Sequence, residues 1–114
     1  MAKLGFDTTL TTVESKESYS LPSAFRLEQN YPNPFNPTTS VKYQIPQSSH
    51  VRIIVYNTLG VEVARLVDET LEAGYYTISW DGKDNLGKTL STGIYLYKME
   101  AGTYTDVKKM IYVK

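Results

Sequence analysis

The sequence predicts an all-β fold in which two sheets pack as a sandwich, and three observations support this fold class. Residues that favour strands are abundant, with ten tyrosines, three phenylalanines and one tryptophan among 114 residues. From residue 25 onward, short runs alternate apolar and polar side chains, which is the two-residue period of a half-buried strand. Clusters of Gly, Pro or Asn interrupt these runs about every eight to twelve positions, a spacing typical of antiparallel sandwiches.

The alternating runs predict seven strands, and no segment has a convincing helical period. The second strand is predicted to end where Pro46 removes a ladder donor, and the third is apolar on both faces. Gly60 is expected to supply the positive φ of a hairpin loop at 57–60, and 68–74 is predicted to be a loop. The predicted strands are residues 25–30, 41–45, 51–56, 61–67, 75–80, 94–99 and 104–113. Together they indicate a seven-stranded immunoglobulin- or fibronectin-like sandwich, with the only tryptophan, Trp80, buried.

The composition changes near residue 24. Residues 1–24 are rich in serine and threonine and have neither strand nor helix period, so we interpret them as a linker or the tail of a preceding region. Residues 25–114 are predicted to form one domain, because one sandwich accounts for all of them and no internal repeat is evident.

Composition also excludes several function classes. The chain has no cysteine, so disulfides and cysteine zinc sites are excluded. Twelve acidic and twelve basic residues give no net charge, which argues against a nucleic-acid or acidic-membrane binder. No apolar run approaches the roughly 20 residues that span a bilayer, and the first residues lack the apolar region of a secretory signal peptide.

A proline-rich stretch at residues 31–39 is the most distinctive local motif. Its prolines, Pro32, Pro34 and Pro37, favour extended backbone before each of them and remove three amide donors. We therefore expect a rigid crossing at a sheet edge or between the sheets, with Phe35 as its buried anchor and the asparagines bonding local backbone. A recognition surface is the alternative interpretation of the same stretch.

This motif, and others along the chain, resemble the type A C-terminal sorting domain of type IX secretion cargo. The resemblance runs in order from about residue 25 to residue 114. The similar motifs are Leu27-Glu28-Gln29-Asn30-Tyr31 with Pro32-Asn33-Pro34-Phe35-Asn36-Pro37, Val55-Tyr56-Asn57 with Leu59-Gly60, Ala73-Gly74, Trp80-Asp81-Gly82 with Asp84 and Gly87, Thr92-Gly93-Ile94-Tyr95-Leu96-Tyr97, Gly102, and Lys109-Met110. The family is related to the immunoglobulin-like domain of the flagellar hook-capping protein.

The resemblance implies an export address at the C-terminus of a longer cargo protein. The partners it implies are the outer-membrane secretion machinery, a sortase-like peptidase and an upstream cargo domain. The domain would fold in the periplasm, cross the outer membrane to the cell surface or medium, and be removed within the linker before residue 25 or used for surface anchoring. The matched sorting residues are Asn33, Pro34, Phe35, Asn36, Pro37, Gly93, Tyr95, Gly102 and Lys109.

The acidic loop after Trp80 offers weak calcium candidates, Asp81, Asp84 and Asn85, because calcium prefers six to eight oxygen ligands. The spacing differs from that of an EF-hand loop, and we favour Asx-type turns in which Asp81 and Asp84 cap backbone amides. We expect no metal and no cofactor.

The tyrosines suggest two interpretations. Tyr95 and Tyr97 stand two apart on the penultimate strand, as in the tyrosine corner of immunoglobulin-like domains. Alternatively, Tyr56, Tyr75 and Tyr112 form an exposed platform for sugar rings, as in a carbohydrate-binding module, with Tyr75 and Tyr112 outward.

Catalysis has little support in the sequence. Lys108 and Lys109 are interpreted as charges that prevent further strand pairing at a sheet edge. His50 is interpreted as a solvated turn residue without a second metal ligand. No nucleophile with a base, phosphate loop or paired carboxylates is apparent. We therefore expect a non-catalytic domain, and a passive structural module is the other alternative.

Overall fold

The computed structural model describes residues 20–114, and these form seven strands and no helix. The strands are β1 (Arg26–Leu27), β2 (Thr39–Ile45), β3 (Ser49–Tyr56), β4 (Glu62–Leu71), β5 (Gly74–Trp80), β6 (Gly93–Ala101) and β7 (Tyr104–Tyr112). The predicted linker lies mostly outside the described residues, which begin at Ser20, and the boundary at residues 24 and 25 stays a prediction. No helix of residues 20–114 has the length and apolar character needed to cross a membrane.

The strands form two antiparallel sheets. One sheet has the order β1-β2-β5, and the other has the order β4-β3-β6-β7. This architecture confirms the predicted all-β, seven-stranded immunoglobulin-like sandwich. β4 and β7 are the outer strands of the four-stranded sheet, and β3 pairs with both β4 and β6 in its interior.

The core lies between the sheets and is built by the alternation of each strand. On β3, Val51, Ile53 and Val55 are fully buried, and Ile54 on the opposite face is only 6% exposed, as expected for a strand that is apolar on both faces. Trp80 is buried as predicted, at 4% exposure. The large buried side chains also include Phe35, Tyr43, Ile45, Tyr97, Met99 and Met110.

Two predicted strands, 25–30 and 61–67, end three or more residues away from their observed ends, and the other boundaries differ by at most two residues. The first strand is only Arg26–Leu27, because its ladder with β2 is interrupted after the Leu27–Tyr43 pair and resumes only as a single bridge between Tyr31 and Ser40. The predicted loop at 68–74 is instead the end of β4, a turn at Glu72 and Ala73, and the start of β5. The polar residues of β4 remain in the sheet because Asp68 and Thr70 lie opposite Arg52 and His50 of β3. Cross-strand polar pairs stabilise the strand there without an apolar pattern.

Candidate recognition surface

The proline-rich stretch crosses from one sheet to the other, as predicted. At its start, Tyr31 and Ser40 exchange two backbone hydrogen bonds of 2.9 Å, so Tyr31 lies against β2 of the three-stranded sheet. Four residues later, the N–H of Phe35 donates to the carbonyl oxygen of Ile111 at 2.9 Å, and the N–H of Val113 donates to that of Phe35 at 3.0 Å. We call residues 31–38 the crossing segment. It extends the four-stranded sheet beside the C-terminal half of β7.

Phe35 is the buried anchor of the crossing segment, as expected, with 1% of its surface exposed. Its ring centroid lies 5.0 Å from that of Tyr112 and 5.6 Å from that of Trp80. Trp80 in turn packs edge-on against Tyr95, with 5.9 Å between the centroids. These four rings join the crossing segment to β5, β6 and β7, because aromatic side chains bury large apolar areas.

Asn33 does not bond local backbone, so that expectation is wrong. Its Oδ1 accepts a hydrogen bond of 2.9 Å from the backbone N–H of Ile111, 78 residues further along the chain. The amide oxygen stands where a carbonyl of a neighbouring strand would stand. The structure has cis peptide bonds before Pro32, Pro34 and Pro37.

A buried polar cluster at the start of the crossing segment was missed by the sequence analysis. Asn30 is 2% exposed, and its Nδ2 donates to Thr39 Oγ1 at 2.9 Å and to the Pro32 carbonyl at 3.1 Å. Gln29 Nε2 donates to Asn30 Oδ1 at 2.6 Å and to the Lys109 carbonyl at 2.7 Å. The partners of Asn30 lie within nine residues of it, but a lone Asn between an alternating run and the first proline gives no sign that its side chain is buried, and only the contact of Gln29 with Lys109 joins distant parts of the chain.

The two tyrosines of β6 have structural roles. Tyr95 donates its hydroxyl to the carbonyl of Ser91, four residues upstream, at 2.7 Å, which is the predicted tyrosine corner. Tyr97 instead reaches Glu28, also at 2.7 Å, and so fixes the chain before the crossing segment. Burial raises the pKa of Tyr97 to about 12 and also raises the pKa of Tyr95. Both hydroxyls therefore remain donors at neutral pH.

Tyr112 faces inward, contrary to the expectation that it is outward, and is 3% exposed. Besides the Phe35 ring, the backbone of Gly82 lies against it. A Cβ at Gly82 would stand 2.8 Å from the ring atom Cζ of Tyr112, and Gly82 also has a φ of +74°. The glycine after Trp80-Asp81 therefore permits this close approach.

Most of the predicted sorting residues meet at one place. Asn33, Pro34, Phe35, Asn36 and Pro37 lie in the crossing segment, and Gly93, Tyr95 and Lys109 lie on the adjoining parts of β6 and β7. Gly102 does not join them, because it lies in the β6–β7 turn at the other end of β7. Of the group, Phe35 and Tyr95 are buried, whereas Asn33, Pro34, Asn36, Pro37 and Lys109 are exposed.

The calcium candidates use their oxygens within the protein. Asp81 Oδ1 accepts from the N–H of Lys83, and Asp84 Oδ1 accepts from those of Leu86 and Lys88, which are the Asx-type turns favoured above. Asn85 instead reaches β4, where its Oδ1 accepts from the N–H of Arg65 at 2.8 Å. Within residues 20–114 no group of three or more acidic or histidine side chains is placed to hold a metal ion.

A network of charges lies on the exposed face of β3 and β4. Asp68 accepts from His50 Nε2 at 2.7 Å and from Arg65 Nη1 at 2.8 Å, and Arg52 Nε lies 3.7 Å away. The hydrogen bond from His50, followed by that from Arg65, lowers the pKa of the Asp68 carboxyl. His50 therefore lies on a strand with a partner and is not a solvated turn residue, although its side chain is exposed.

Comparison with known proteins identifies the sandwich. The family model of the FlgD Ig-like domain matches residues 33–105, which is more than half of the chain. The chain belongs to the FlgD Ig-like domain family. The match begins at Asn33 in the crossing segment and ends at Thr105, near the start of β7.

Two solved structures share the fold of this domain. The dimeric latent PorU of Porphyromonas gingivalis superposes with a TM-score of 0.63 at 19% identity, over 81% of this chain and 10% of PorU. FlgD of P. aeruginosa superposes with a TM-score of 0.51 at 27% identity, over 65% of this chain and 58% of that protein. The chain thus spans about a tenth of the first protein and less than two thirds of the second. A search of curated proteins found no match.

Proposed function

We propose that this domain is a non-catalytic C-terminal sorting domain that directs a longer cargo protein across the outer membrane by type IX secretion. The observation that carries the proposal is the meeting of the first and last sorting motifs. Residues 33–37 and Lys109 are separated by most of the domain, yet both lie at the outer edge of β7. A receptor could therefore read both motifs only on the folded domain.

The burial pattern divides the sorting residues into two groups. Phe35 and Tyr95 hold the sheets together, so substitutions there are expected to act through folding. Asn36, Pro37 and Lys109 are exposed, and we assign the contacts with the machinery to them. An address of this kind needs a specific surface and no reactive group.

The proposed route follows from this role. The upstream cargo domain precedes residue 25 in the same polypeptide, and the sandwich folds in the periplasm before transfer to the cell surface or medium. A sortase-like peptidase removes the domain by cleavage before Phe25, where residues 20–24 lie outside the described strands, or the domain is used for surface anchoring.

A secretion assay tests the proposal. Residues 1–114 are fused behind a signal peptide and a reporter in a type IX-competent bacterium, beside an Asn36→Ala/Lys109→Ala variant. We expect the parent fusion on the surface or in the medium, and the variant in the periplasm. The matched control is Lys42→Ala/Gln47→Ala. Both of these side chains are exposed, and neither belongs to β7. Retention of the parent fusion in the periplasm would contradict the proposal and favour a structural module of the FlgD Ig-like kind.

One observation favours a second candidate, a carbohydrate-binding module. The predicted platform is wrong, because Tyr112 is buried, but Tyr31 and Tyr75 are 81% and 63% exposed. Tyr31 borders a groove of about 360 Å³ on the three-stranded sheet, with polar side chains including Glu28, Lys42 and Thr77. Saturable glycan binding that is lost in Tyr31→Ala but retained in Gln47→Ala would support this candidate. The control here is the single variant Gln47→Ala, because Lys42 lines the groove.

A further inference from the structure

Two loops of the sandwich have the same local structure. Loop A, residues 57–61, joins β3 to β4 and reads Asn-Thr-Leu-Gly-Val. Loop B, residues 84–88, lies between β5 and β6 and reads Asp-Asn-Leu-Gly-Lys. The shared pattern is Asn or Asp, any residue, Leu, then Gly.

The hydrogen bonds of the two loops correspond one to one. In loop A, Asn57 Oδ1 accepts from the N–H groups of Leu59 and Val61, both at 3.0 Å. In loop B, Asp84 Oδ1 accepts from those of Leu86 and Lys88, both at 2.9 Å. In each loop the N–H of the first residue also donates to the carbonyl of the last residue, and the N–H of the glycine donates to the carbonyl of the first residue. These bonds hold each backbone in one shape.

Both loops present a leucine to solvent at the same position. Leu59 is 86% exposed and Leu86 is 93% exposed, and these are the two highest values among the large hydrophobic side chains of residues 20–114. Gly60 and Gly87 follow them with φ of +83° and +82°, and a Cβ added at either glycine would have no neighbouring atom within 4 Å. A single exposed leucine is ordinary. The same rigid presentation twice is a reason to expect a binding role.

The loops lie beside each other at one end of the sandwich. Asn85 of loop B donates its N–H to the Val63 carbonyl at 3.0 Å and accepts from the Arg65 N–H, so loop B is fixed to β4 just after loop A. The chain enters at the opposite end, where Phe25 stacks on Tyr104 with 5.3 Å between ring centroids. The leucine end therefore points away from the position at which a preceding domain would join.

We propose that Leu59 and Leu86 form a two-pronged docking surface for a protein partner with apolar pockets. The inference rests on the proposed function, in which this partner is the component of the outer-membrane secretion machinery that receives the folded domain. Rigid loops lose little conformational entropy on binding, which favours this use. Projecting side chains fit recesses in a partner. A second copy of this chain would present the same projecting leucines, so a different protein fits better.

Charge and size favour a protein partner over a lipid surface. Loop B contains one acidic and one basic side chain, Asp84 and Lys88, and Glu62 pairs with Arg65 at 3.0 Å on the adjoining strand, so the end of the sandwich has no excess of positive charge to attract anionic lipids. Two leucine side chains also have fewer carbons than one myristoyl chain, which alone gives only marginal membrane binding.

The test compares export of full-chain reporter fusions that differ only at exposed apolar side chains. The variant is Leu59→Ser/Leu86→Ser, and the matched control is Leu21→Ser/Val107→Ser, whose parent side chains are 60% and 47% exposed. A Leu59→Met/Leu86→Met variant restores apolar side chains. We expect about a tenfold fall in surface reporter for the serine variant, and export near the parent level for the control and the methionine variant. Equal thermal unfolding temperatures of the purified domains verify that the variants fold.

The outcomes separate the two proposals. If the parent and the serine variant are exported equally, the docking surface is wrong and the sorting function stands. If the parent itself is retained, the sorting function fails, and the docking inference fails with it. Leucine-dependent binding to phosphatidylcholine/phosphatidylglycerol vesicles would replace the protein partner by a lipid surface. A leucine-dependent dimer in analytical ultracentrifugation would replace it by a second copy.

Discussion

Both outer strands of the four-stranded sheet receive an asparagine side chain from a loop, but the two edges are otherwise closed by different chemistry. At β7, Asn33 Oδ1 accepts from Ile111, and at β4, Asn85 Oδ1 accepts from Arg65, with distances of 2.9 Å and 2.8 Å. Beside Asn33 the buried ring of Phe35 packs on Trp80 and Tyr112 in the core. Beside Asn85 the contacts are exposed and polar, and β4 has register shifts against β3.

The difference shows that the β7 edge depends on the whole domain, whereas the β4 edge is more local. Asn33 and Ile111 are 78 residues apart, whereas Asn85 and Arg65 are 20 apart. Contacts between distant residues require the intervening chain to be ordered first. An unpaired edge invites association with other strands, so each closure also protects the sheet. We therefore expect the β7 closure to depend on core packing and the β4 closure on charge and hydrogen bonding.

The largest expected effect is at Phe35. We expect Phe35→Ala to lower the free energy of unfolding by about 3 to 5 kcal/mol, because it removes a buried ring and leaves a cavity. Urea unfolding followed by Trp80 fluorescence measures the change. The control Leu86→Ala removes an exposed side chain and should change stability by less than about 0.5 kcal/mol. If the two variants are equally stable, Phe35 does not anchor the β7 closure.

Alkaline pH is expected to have the next largest effect. Burial raises the pKa of Tyr97 to about 12, and the same cause raises that of Tyr43 to about 12. The ionisation of a tyrosine in the unfolded chain occurs near pH 10. The stabilisation is therefore complete below pH 10 and is lost as the pH rises through 12, by on the order of 2 to 3 kcal/mol for each residue.

Absorbance at 295 nm measures this ionisation. We expect Tyr43→Phe and Tyr97→Phe each to remove one tyrosine from the step near pH 12. Loss of the step near pH 12 in urea would confirm that folding causes it. Ionisation of all tyrosines near pH 10 in the folded protein would contradict the prediction.

Substitution of Asn33 or Asn85 tests each sheet edge separately. We expect Asn33→Ala and Asn85→Ala each to lower stability by about 0.5 to 1.5 kcal/mol, because each loses exposed hydrogen bonds. Amide hydrogen exchange should then change locally. Exchange at Ile111 should become faster only in the first variant, and exchange at Arg65 only in the second. Acceleration of both amides in either variant would show that the edges are not independent.

Acid pH and salt should have the smallest effect, confined to the β4 side. Hydrogen bonds from His50 and Arg65 lower the pKa of Asp68, and a hydrogen bond from Arg65 lowers that of Glu62. Their stabilisation is therefore present above the ordinary carboxyl pKa and lost as the pH falls through the lowered folded values. We expect Asp68→Asn to destabilise the protein at pH 7 in low salt, and the difference from the parent to shrink at pH 3 or in 1 M salt. A difference that is independent of pH would contradict this assignment.

Much of the fold follows from local pattern. The two-residue alternation predicts which faces of β2, β3 and β5 are buried, because successive side chains of a strand point to opposite sides. Pro46 and the Asn-Thr-Leu-Gly turn mark strand ends for steric reasons that hold within a few residues. The repeat of that turn at residues 84–87 was also present in the sequence, but its significance depends on equal hydrogen bonding and exposure in both loops.

The inward position of Tyr112 could also have been predicted from the sequence, because it stands two residues after the buried Met110 on the same strand. The polar end of β4 could not have been predicted from the sequence. Asp68 and Thr70 remain in the sheet because of partners on β3, and the alternation of apolar residues carries no information about such polar pairs.

Local sequence pattern therefore predicts most of the strands, most of their buried faces, the hairpin turn at 57–60 and the proline-rich crossing. The packed sandwich is needed to place Asn33 and Phe35 along β7, to bring Gln29 to Lys109, and to set loops A and B at the same end. The physical reason is that turn and strand preferences act between near neighbours, whereas closure of a sheet edge joins residues that only the packed sandwich brings together.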